Sequence, residues 1–263
     1  MKNKLTGELA VCGMNAVKAI ERTGAERISR LYFNTERAPL FGGLCRALAA
    51  NRTPYNCIPN EELAKLCGTL HHQGVVAMIR TPIVPVVDSD YINEWSDRGE
   101  KVLVLDNVGN ANNFGAIVRS AAFFGWKYIV IEADRPYITT SAYRVAEGGM
   151  EYVDVVAAAS IAGMLQSAQG KMFRIGASSR GKIPASRLGD LTKDRPAFLI
   201  LGNEESGLTV EVEKQCDTIV TVFPGNRTRI ESLNVAQAAA VLLNECRREK
   251  YVGPRHPHAR SDL

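Results

Sequence analysis

The chain has 263 residues, of which 46% are hydrophobic and 23% charged, a composition typical of a soluble globular protein with one large or two ordinary domains. No apolar run approaches the length of a membrane span, and no sustained apolar segment follows the lysines near the N-terminus. We therefore expect neither a membrane helix nor a signal peptide, and a cytoplasmic location. The net charge of +4 permits nucleic acid binding without requiring it.

The cysteine and histidine residues indicate neither disulfides nor a metal site. Six cysteines are scattered without a C-x-x-C pair, so free buried thiols are favoured over disulfides. His71 and His72 are adjacent, and His256 and His258 have no cysteine nearby. We expect no bound metal.

Residues 1–80 are predicted to form a small α/β domain of alternating elements. The third helix is predicted to be capped by Asn60. Apolar periodicity predicts helices at 15–23, 40–51 and 61–67, and strands at 28–33, 55–58 and 74–79.

Residues 81–99 contain two prolines and a polar, acidic second half, and they are predicted to be a linker or short irregular crossover. Short apolar strands then alternate with helices over residues 100–250, which predicts a parallel sheet covered on both faces. The remaining residues, 251–263, form a basic tail. The predicted strands lie at 102–105, 128–131, 152–156, 173–177, 198–201 and 218–223.

The first unusual strand end lies within residues 105–125, where an Asn- and Gly-rich loop precedes a predicted helix. Asn112 or Asn113 is predicted to cap that helix. Gly115 and Arg119 are four residues apart and share a face, which leaves room for a ligand beneath a fixed positive charge. A capped surface helix with a solvated arginine explains the same residues. The dinucleotide pattern G-x-G-x-x-G is absent, which disfavours hydride transfer.

Two further strand ends carry polar or small residues. An apolar strand runs into Gly202 and a loop containing Glu204, where a glycine lets a ligand approach the backbone, although an ordinary turn is equally compatible. The last strand leads through Pro224 to a helix for which Ser232 is the predicted cap. Residues 235–243 are apolar almost all round and rich in alanine, which predicts burial of both faces and suggests a dimer interface.

Together these segments resemble the SpoU-type (TrmH-like) RNA 2′-O-ribose methyltransferases of the SPOUT superfamily. The resemblance covers about residues 101–248, and the segment His72-Gln-Gly-Val75 makes residues 1–80 similar to an L30e-like RNA-binding domain. The matching residues are Asn113-Phe-Gly115-Ala-Ile-Val-Arg119, Leu201-Gly202-Asn-Glu204 with Gly207, and Pro224 followed by Ser232-Leu233-Asn234-Val235.

The resemblance implies a deep trefoil knot, a homodimer, and S-adenosylmethionine as the cofactor. It places the cofactor against backbone groups at Gly202, Phe223 and Leu233. The loop from Pro224 to Ser232 is one residue longer than the family pattern and lacks the methionine expected after the proline.

The resemblance also implies the catalytic residues. A ribose hydroxyl is protonated at neutral pH, so the site must remove a proton or stabilise developing negative charge. The family assigns this task to Arg119, and electrostatic stabilisation or phosphate anchoring suits a guanidinium better than a base role. Asn113 would orient Arg119 or the ribose, and Glu204 would hold the arginine or accept a hydrogen bond from a hydroxyl. Ser232 and Asn234 would order the knot loop and position the target.

The expected partner is RNA, with ribosomal RNA preferred over transfer RNA. The residues predicted to contact it are His72, Gln73, Arg227 and Arg229. The basic residues between 227 and 260 form either a phosphate-facing patch or a solvated terminus. Two alternative functions stay open, an RNA-binding protein without efficient catalysis and a base-methylating enzyme.

Overall fold

The computed structural model describes residues 2–3, 7–225 and 232–247, which form two sheets with flanking helices. The first sheet is mixed and has the order β1-β2-β5-β3-β4, in which only β3 and β4 pair in parallel. Its strands are β1 (Lys2–Asn3), β2 (Glu8–Cys12), β3 (Ile28–Phe33), β4 (Tyr55–Cys57) and β5 (Val75–Arg80). Its helices are α1 (Met14–Gly24), α2 (Gly42–Ala50) and α3 (Asn60–Cys67).

Both faces of this first sheet are covered, because successive side chains of a strand point to opposite faces. In β2, Leu9 and Val11 join a core shared with α1, while Ala10 and Cys12 pack with residues of α3 on the other face. The predicted α/β texture of residues 1–80 is confirmed. The sequence analysis missed β1 and β2.

The second sheet has seven strands, all parallel, in the order β10-β12-β9-β11-β6-β7-β8. All six predicted strands are present, so the predicted parallel sheet is confirmed. The strands are β6 (Lys101–Leu105), β7 (Tyr128–Glu132), β8 (Asp154–Ala158), β9 (Phe173–Ala177), β10 (Ile183–Pro184), β11 (Ala197–Leu201) and β12 (Thr218–Thr221). The helices are α4 (Ser89–Asp97), α5 (Ala111–Phe124), α6 (Thr140–Ala146), α7 (Ile161–Ser167), α8 (Leu188–Thr192), α9 (Val210–Glu213) and α10 (Val235–Glu245).

The strand order of the second sheet creates a crevice near its centre. From β6 the chain builds outward through β7 and β8, and it then crosses to β9 on the far side of β11. Ligands of open parallel sheets bind beyond the carboxyl ends of the strands where the order reverses. This topology directs attention to the loops after β6, β9, β11 and β12.

The prediction that residues 81–99 form an irregular linker is wrong for its second half, which contains α4. Asp88 caps this helix by accepting hydrogen bonds from the backbone N–H groups of Asp90 and Tyr91. Trp95 is fully buried, and its ring packs against those of Tyr128 and Phe198 in the parallel sheet. The many polar and acidic residues of the segment led to the linker prediction. The segment is an amphipathic helix whose apolar side completes the core of the second sheet.

The three predicted helix caps are also wrong, each by a few residues. Pro59 occupies the cap position of α3, so Asn60 is its first residue. Asn110, not Asn112 or Asn113, caps α5 and accepts from the Asn112 N–H at 2.8 Å. Several neighbouring polar residues could cap α5 or α10, and only backbone geometry selects one. The cap of α10 is Asn234 rather than Ser232.

Helix α10 is buried on one face only. Val235, Ala239, Leu242 and Leu243 are buried, whereas Val241 is 38% exposed. The other face is exposed in the single chain, so the predicted burial of both faces, with the dimer interface that it suggests, stays a prediction.

All six cysteines are free, and Cys12, Cys67 and Cys246 are buried, but Cys57 is exposed, so the expectation of buried thiols is wrong for Cys57. Over the described residues, no helix is both long and apolar enough to cross a membrane. The knot implied by the resemblance stays a prediction, because residues 226–231 lie outside the described part of the chain.

Candidate active site

A cavity of about 410 Å³ opens at the carboxyl ends of β9, β11 and β12 and is closed on one side by the start of α10. Apolar side chains and polar loop residues both line it, including Ser232. Its volume falls within the ~300–1,000 Å³ range of small-molecule sites. The lining includes Ala177, Ser178, Arg180, Leu201, Gly202, Glu204, Glu205, Val220, Val222, Ser232, Leu233 and Leu242.

A larger cavity, of about 630 Å³, lies where Arg27, from the domain of the first sheet, meets the domain of the parallel sheet. Its walls come from the segment before α4, from β8 and from Arg27. None of the motif residues lines it, whereas Gly202, Glu204, Ser232 and Leu233 all line the smaller cavity. We therefore place the candidate active site at the smaller cavity.

Gly202 follows β11 and is required by the path of the loop itself. A Cβ at this position would lie 2.3 Å from the backbone carbon of Gly207 and 2.4 Å from the nitrogen of Leu208. The loop turns back tightly because Asn203 and Gly207 exchange backbone hydrogen bonds of 3.0 Å. Of the two explanations for this glycine that the sequence left open, a ligand or an ordinary turn, close approach of the returning backbone supports the turn.

Asn113 connects the three sequence motifs. Its side-chain amide Nδ2 donates to Oε1 of Glu204, in the loop after β11. Its Oδ1 accepts from Nδ2 of Asn234, at the start of α10, over 3.2 Å. Each motif supplies one side chain to this connection, so the fold brings together three of the five predicted catalytic residues.

The loops that carry these side chains are themselves anchored. Asn203 donates through Nδ2 to the carbonyl of Asn107 at 2.9 Å. Its Oδ1 accepts from the backbone N–H groups of Glu205 and Ser206. Asp106, at the end of β6, accepts from the Thr209 N–H at 2.6 Å. Burial raises the pKa of the Asp106 carboxyl. These contacts fix the loop after β11 to the end of β6, and so fix Glu204 relative to Asn113.

Arg119 is not part of this cluster in the single chain. It is exposed, and no hydrogen bond or ion pair joins its side chain to another described residue. It follows Asn113 by six residues, so the two side chains leave α5 about 120° apart around the helix axis. Phe123 lies one turn further on the same face as Arg119 and is 78% exposed.

The predicted cofactor contacts divide between the cavity and the surface. Gly202 and Leu233 line the cavity, and Leu233 is 43% exposed there. Phe223 does not line it, and its side chain is 60% exposed. The predicted contact at Phe223 is through its backbone, next to the cavity-lining Val222, so exposure of its side chain does not test it and the three contacts stay predictions.

Two of the predicted RNA contacts, His72 and Gln73, lie beside a groove of about 360 Å³ in the first half of the chain. Both also have contacts within the protein. His72 is buried and its Nδ1 accepts from the Gly74 N–H at 3.1 Å, while Gln73 Oε1 accepts from the Met14 N–H at 2.7 Å. The other two predicted contacts, Arg227 and Arg229, lie outside the described residues.

Ser178 and Arg180 line the cavity beyond β9 but were not predicted from the sequence. The anchoring of the loop by Asn203 was not predicted either. A signal was available for the first two, because β9 ends in a polar Ser-Ser-Arg sequence and parallel strands end at the same edge of a sheet. Their position beside β11 and β12, however, depends on strand order.

The comparison with protein families confirms the resemblance. Residues 100–244 match the SpoU rRNA Methylase family, and residues 10–84 match a domain described as RNA 2′-O ribose methyltransferase substrate binding. The chain belongs to the SpoU rRNA methylase family.

Individual relatives agree with this assignment. The chain is 30% identical over 251 residues to the uncharacterized tRNA/rRNA methyltransferase YfiF of Escherichia coli O157:H7, a match that covers 93% of this chain and 69% of the relative. It is 29% identical over 248 residues to the 23S rRNA (guanosine-2′-O-)-methyltransferase RlmB of Ralstonia nicotianae, covering 92% and 96%.

A solved structure shows the same fold. The SpoU methyltransferase AviRb of Streptomyces viridochromogenes, solved in complex with the cofactor AdoMet, superposes with a TM-score of 0.71 at 22% identity and covers 95% of this chain and 93% of that chain. This likeness confirms the predicted fold class, a parallel-sheet methyltransferase domain preceded by a small α/β domain.

Proposed function

We propose that the chain transfers a methyl group from S-adenosylmethionine to a ribose 2′-hydroxyl of RNA, with ribosomal RNA as the substrate. The observation that carries this proposal is the hydrogen-bonded connection of Asn113 with Glu204 and Asn234 beside the 410 Å³ cavity. Membership of the SpoU family supports the reaction, and a relative named as a 23S rRNA methyltransferase supports the substrate. The bacterial source of that relative also supports a cytoplasmic location for this chain.

The cavity suits S-adenosylmethionine, which combines a flat apolar adenine with charged groups. Leu201, Val220 and Leu242 offer apolar surface for the ring, and Glu204 and Glu205 offer carboxylates to cationic groups. Backbone groups at the ends of the strands are also available there. When bound, this cofactor supplies an electrophilic methyl group. The backbone groups of Gly202, Leu233 and Phe223 are the proposed contacts, and Val222, next to Phe223, lines the cavity.

The chain's own residues would hold the ribose and manage its proton. Glu204 uses Oε1 to accept from Asn113, and Oε2 forms no hydrogen bond with the described residues. We propose that this free oxygen accepts a hydrogen bond from the ribose hydroxyl and that Asn113 fixes the orientation of the carboxylate. Asn234 holds the Asn113 amide from its other side, and Ser232 lines the cavity where the target would lie.

Arg119 would stabilise negative charge rather than remove a proton. A guanidinium remains protonated in proteins, so it is a poor base, but it binds phosphate and oxyanions well. The exposed Arg119 side chain has no protein partner among the described residues and is free to meet RNA. Its direction on α5, away from Asn113, means that it would act from a second side of the bound nucleotide or across a subunit interface.

A homodimer is also proposed. Phe123 and Val241 expose apolar surface on α5 and α10, two helices that pack against each other. Large exposed apolar side chains of this kind mark interaction surfaces when they cluster. Sedimentation equilibrium at micromolar concentration should give about twice the 28.7 kDa chain mass. A mass equal to one chain would refute the dimer.

The test of function is methyl transfer to RNA. Purified protein, labelled S-adenosylmethionine and unmodified ribosomal RNA or transfer RNA should give label in ribosomal RNA, at a ribose 2′-oxygen when the modified nucleotide is mapped. Label in transfer RNA alone would reject the proposed substrate, and label on a base would reject the proposed reaction. A protein that binds RNA but shows no calorimetric heat with S-adenosylmethionine would instead be the RNA-binding alternative.

A further inference from the structure

The short segment 147–151 lies between α1, which belongs to the domain of the first sheet, and α5, which belongs to the domain of the parallel sheet. It contacts both helices. Gly148 packs on α1, where an added Cβ would lie 2.9 Å from Cβ of Ala19 and 3.0 Å from the carbonyl oxygen of Asn15. Gly149 packs on α5, where an added Cβ would lie 3.1 Å from the Cα of Arg119. Two successive glycines therefore bring the backbone of α1 and the backbone beneath Arg119 against the same turn.

Polar contacts fasten this turn to the substrate-binding half. Glu151 forms an ion pair with Arg27, and its Oε2 also lies 2.8 Å from the hydroxyl of Thr23 at the end of α1. Glu147 accepts from Nδ2 of Asn15 at 2.7 Å, at the other end of the same helix. The two carboxylates hold α1 at both of its ends.

The Arg27 side chain reaches Glu151 because Gly24 leaves space for it. A Cβ on Gly24 would lie 2.5 Å from Nε of Arg27. The ion pair thus depends on a backbone position without a side chain, which restricts Arg27 to this path. The arrangement specifies one relative position of α1 and the turn.

Stability alone does not account for a carboxylate at position 151. Its side chain is only 3% exposed, both of its contacts use Oε2, and Oε1 has no hydrogen-bond partner. The Arg27 side chain is 35% exposed, so water screens its ion pair with Glu151, and the buried unsatisfied oxygen costs free energy. Apolar packing between the halves is non-directional, whereas hydrogen bonds to a carboxylate fix position and orientation.

We propose that Glu151, through its ion pair with Arg27 and its contact with Thr23, is a positioning residue that sets where the substrate-binding half presents RNA relative to Arg119. This inference rests on the proposed function, since it assumes that RNA is held by residues before α4 and methylated beside α5. Glu151 contacts neither the candidate cavity nor the Asn113 cluster, so its effect would pass entirely through the position of α1.

The test uses the full chain with Glu151→Gln, which keeps the shape of the side chain and removes its charge. The KM for RNA should rise about tenfold while the KM for S-adenosylmethionine stays within about twofold, a split that general destabilisation would not produce. Arg27→Ala should give the same split, and Arg27→Lys should partly rescue it. Glu94→Gln breaks an exposed ion pair with Arg98 and serves as the matched control, with no effect on either constant.

Hydrogen exchange of the intact protein gives a readout that does not need activity. Faster exchange of the amides in α1 and in residues 147–151 of Glu151→Gln, with unchanged exchange in β6 and β11, is expected. An unchanged KM for RNA together with unchanged exchange would overturn the inference. Equal increases in both KM values together with a lower thermal stability would also overturn it. Should Glu151→Gln not fold, Arg27→Ala decides by the same criteria. Absence of methyl transfer by the wild type would refute the proposed function, and hydrogen exchange would still test the positioning contact.

Discussion

Replacing Asn113 tests whether the connection between the three motifs matters for turnover. Asn113→Ala removes one hydrogen bond to a carboxylate, worth about 1.5–3 kcal/mol, and one to a neutral amide, worth about 0.5–1.5 kcal/mol. Asn234 is exposed and Glu204 half-buried, so water replaces part of this loss. We expect a net effect of about 2 kcal/mol on the transition state, or about 30-fold in kcat.

Asn113→Asp should be more damaging than Asn113→Ala. It places a second carboxylate at hydrogen-bond distance from Glu204, and two like charges about 4 Å apart repel by about 4 kcal/mol at an effective dielectric constant of 20. Partial exposure reduces this figure. We still expect a loss of more than about 100-fold in kcat, because the repulsion displaces the carboxylate and adds to the lost hydrogen bonds.

The assay is incorporation of labelled methyl groups into RNA at saturating cofactor, with thermal unfolding measured on the same samples. The matched control is Asn112→Ala. The Asn112 side chain accepts from the Ser141 hydroxyl at 2.6 Å and forms no hydrogen bond with Glu204. This variant should retain activity within about threefold. Equal activity of the Asn112 and Asn113 alanine variants, or an aspartate variant as active as the wild type, would refute the reasoning.

Three further predictions concern other parts of the molecule. Arg119→Ala should lose methyl transfer while the calorimetric affinity for S-adenosylmethionine stays within a few-fold, and Arg119→Lys should also largely fail, because a point charge does not replace a planar fork; near-normal turnover of the alanine variant would remove the residue from the mechanism. Asp217→Asn should destabilise the fold by about 3 kcal/mol in urea unfolding at pH 7, since it leaves the buried guanidinium of Arg174 unpaired. Arg174 lowers the pKa of the Asp217 carboxyl, so the wild type should hold this stability above about pH 4 and lose it as the pH falls through the lowered pKa, whereas the variant should lack that component of acid sensitivity. Trp95→Ala should cost about 3–5 kcal/mol, the usual range for a fully buried aromatic side chain, and an effect below about 1 kcal/mol would show that α4 is only a linker after all.

The sequence by itself determined the class of fold and the location of the motifs. Apolar runs of strand length separated by helical patterns predicted the parallel sheet, because a strand buried on both faces must be apolar throughout. The strand 173–177 agrees with the structure residue for residue. Polar residues directly after such strands predicted the candidate site, since the carboxyl ends of parallel strands meet at one edge.

Local signals failed where several residues could serve the same purpose. Asn110, Asn112 and Asn113 are all good helix caps, and only the backbone path after β6 selected Asn110 and left Asn113 to bind Glu204. The segment before β6 concealed α4, because its polar residues dominate the composition while Trp95 is recognised as core only once the sheet beneath it exists.

Only the tertiary structure decided which side chains meet. Glu204 and Asn234 lie 91 and 121 residues after Asn113 in the chain. Their contact with Asn113 depends on strand order, which hydrophobic periodicity does not encode. The same holds for Glu151, an ordinary surface-type residue in the sequence that becomes buried against Arg27 when the two halves pack. Periodicity reports which face of an element avoids water, whereas long-range contacts arise from how those faces are combined, and that combination is settled by packing of the whole chain.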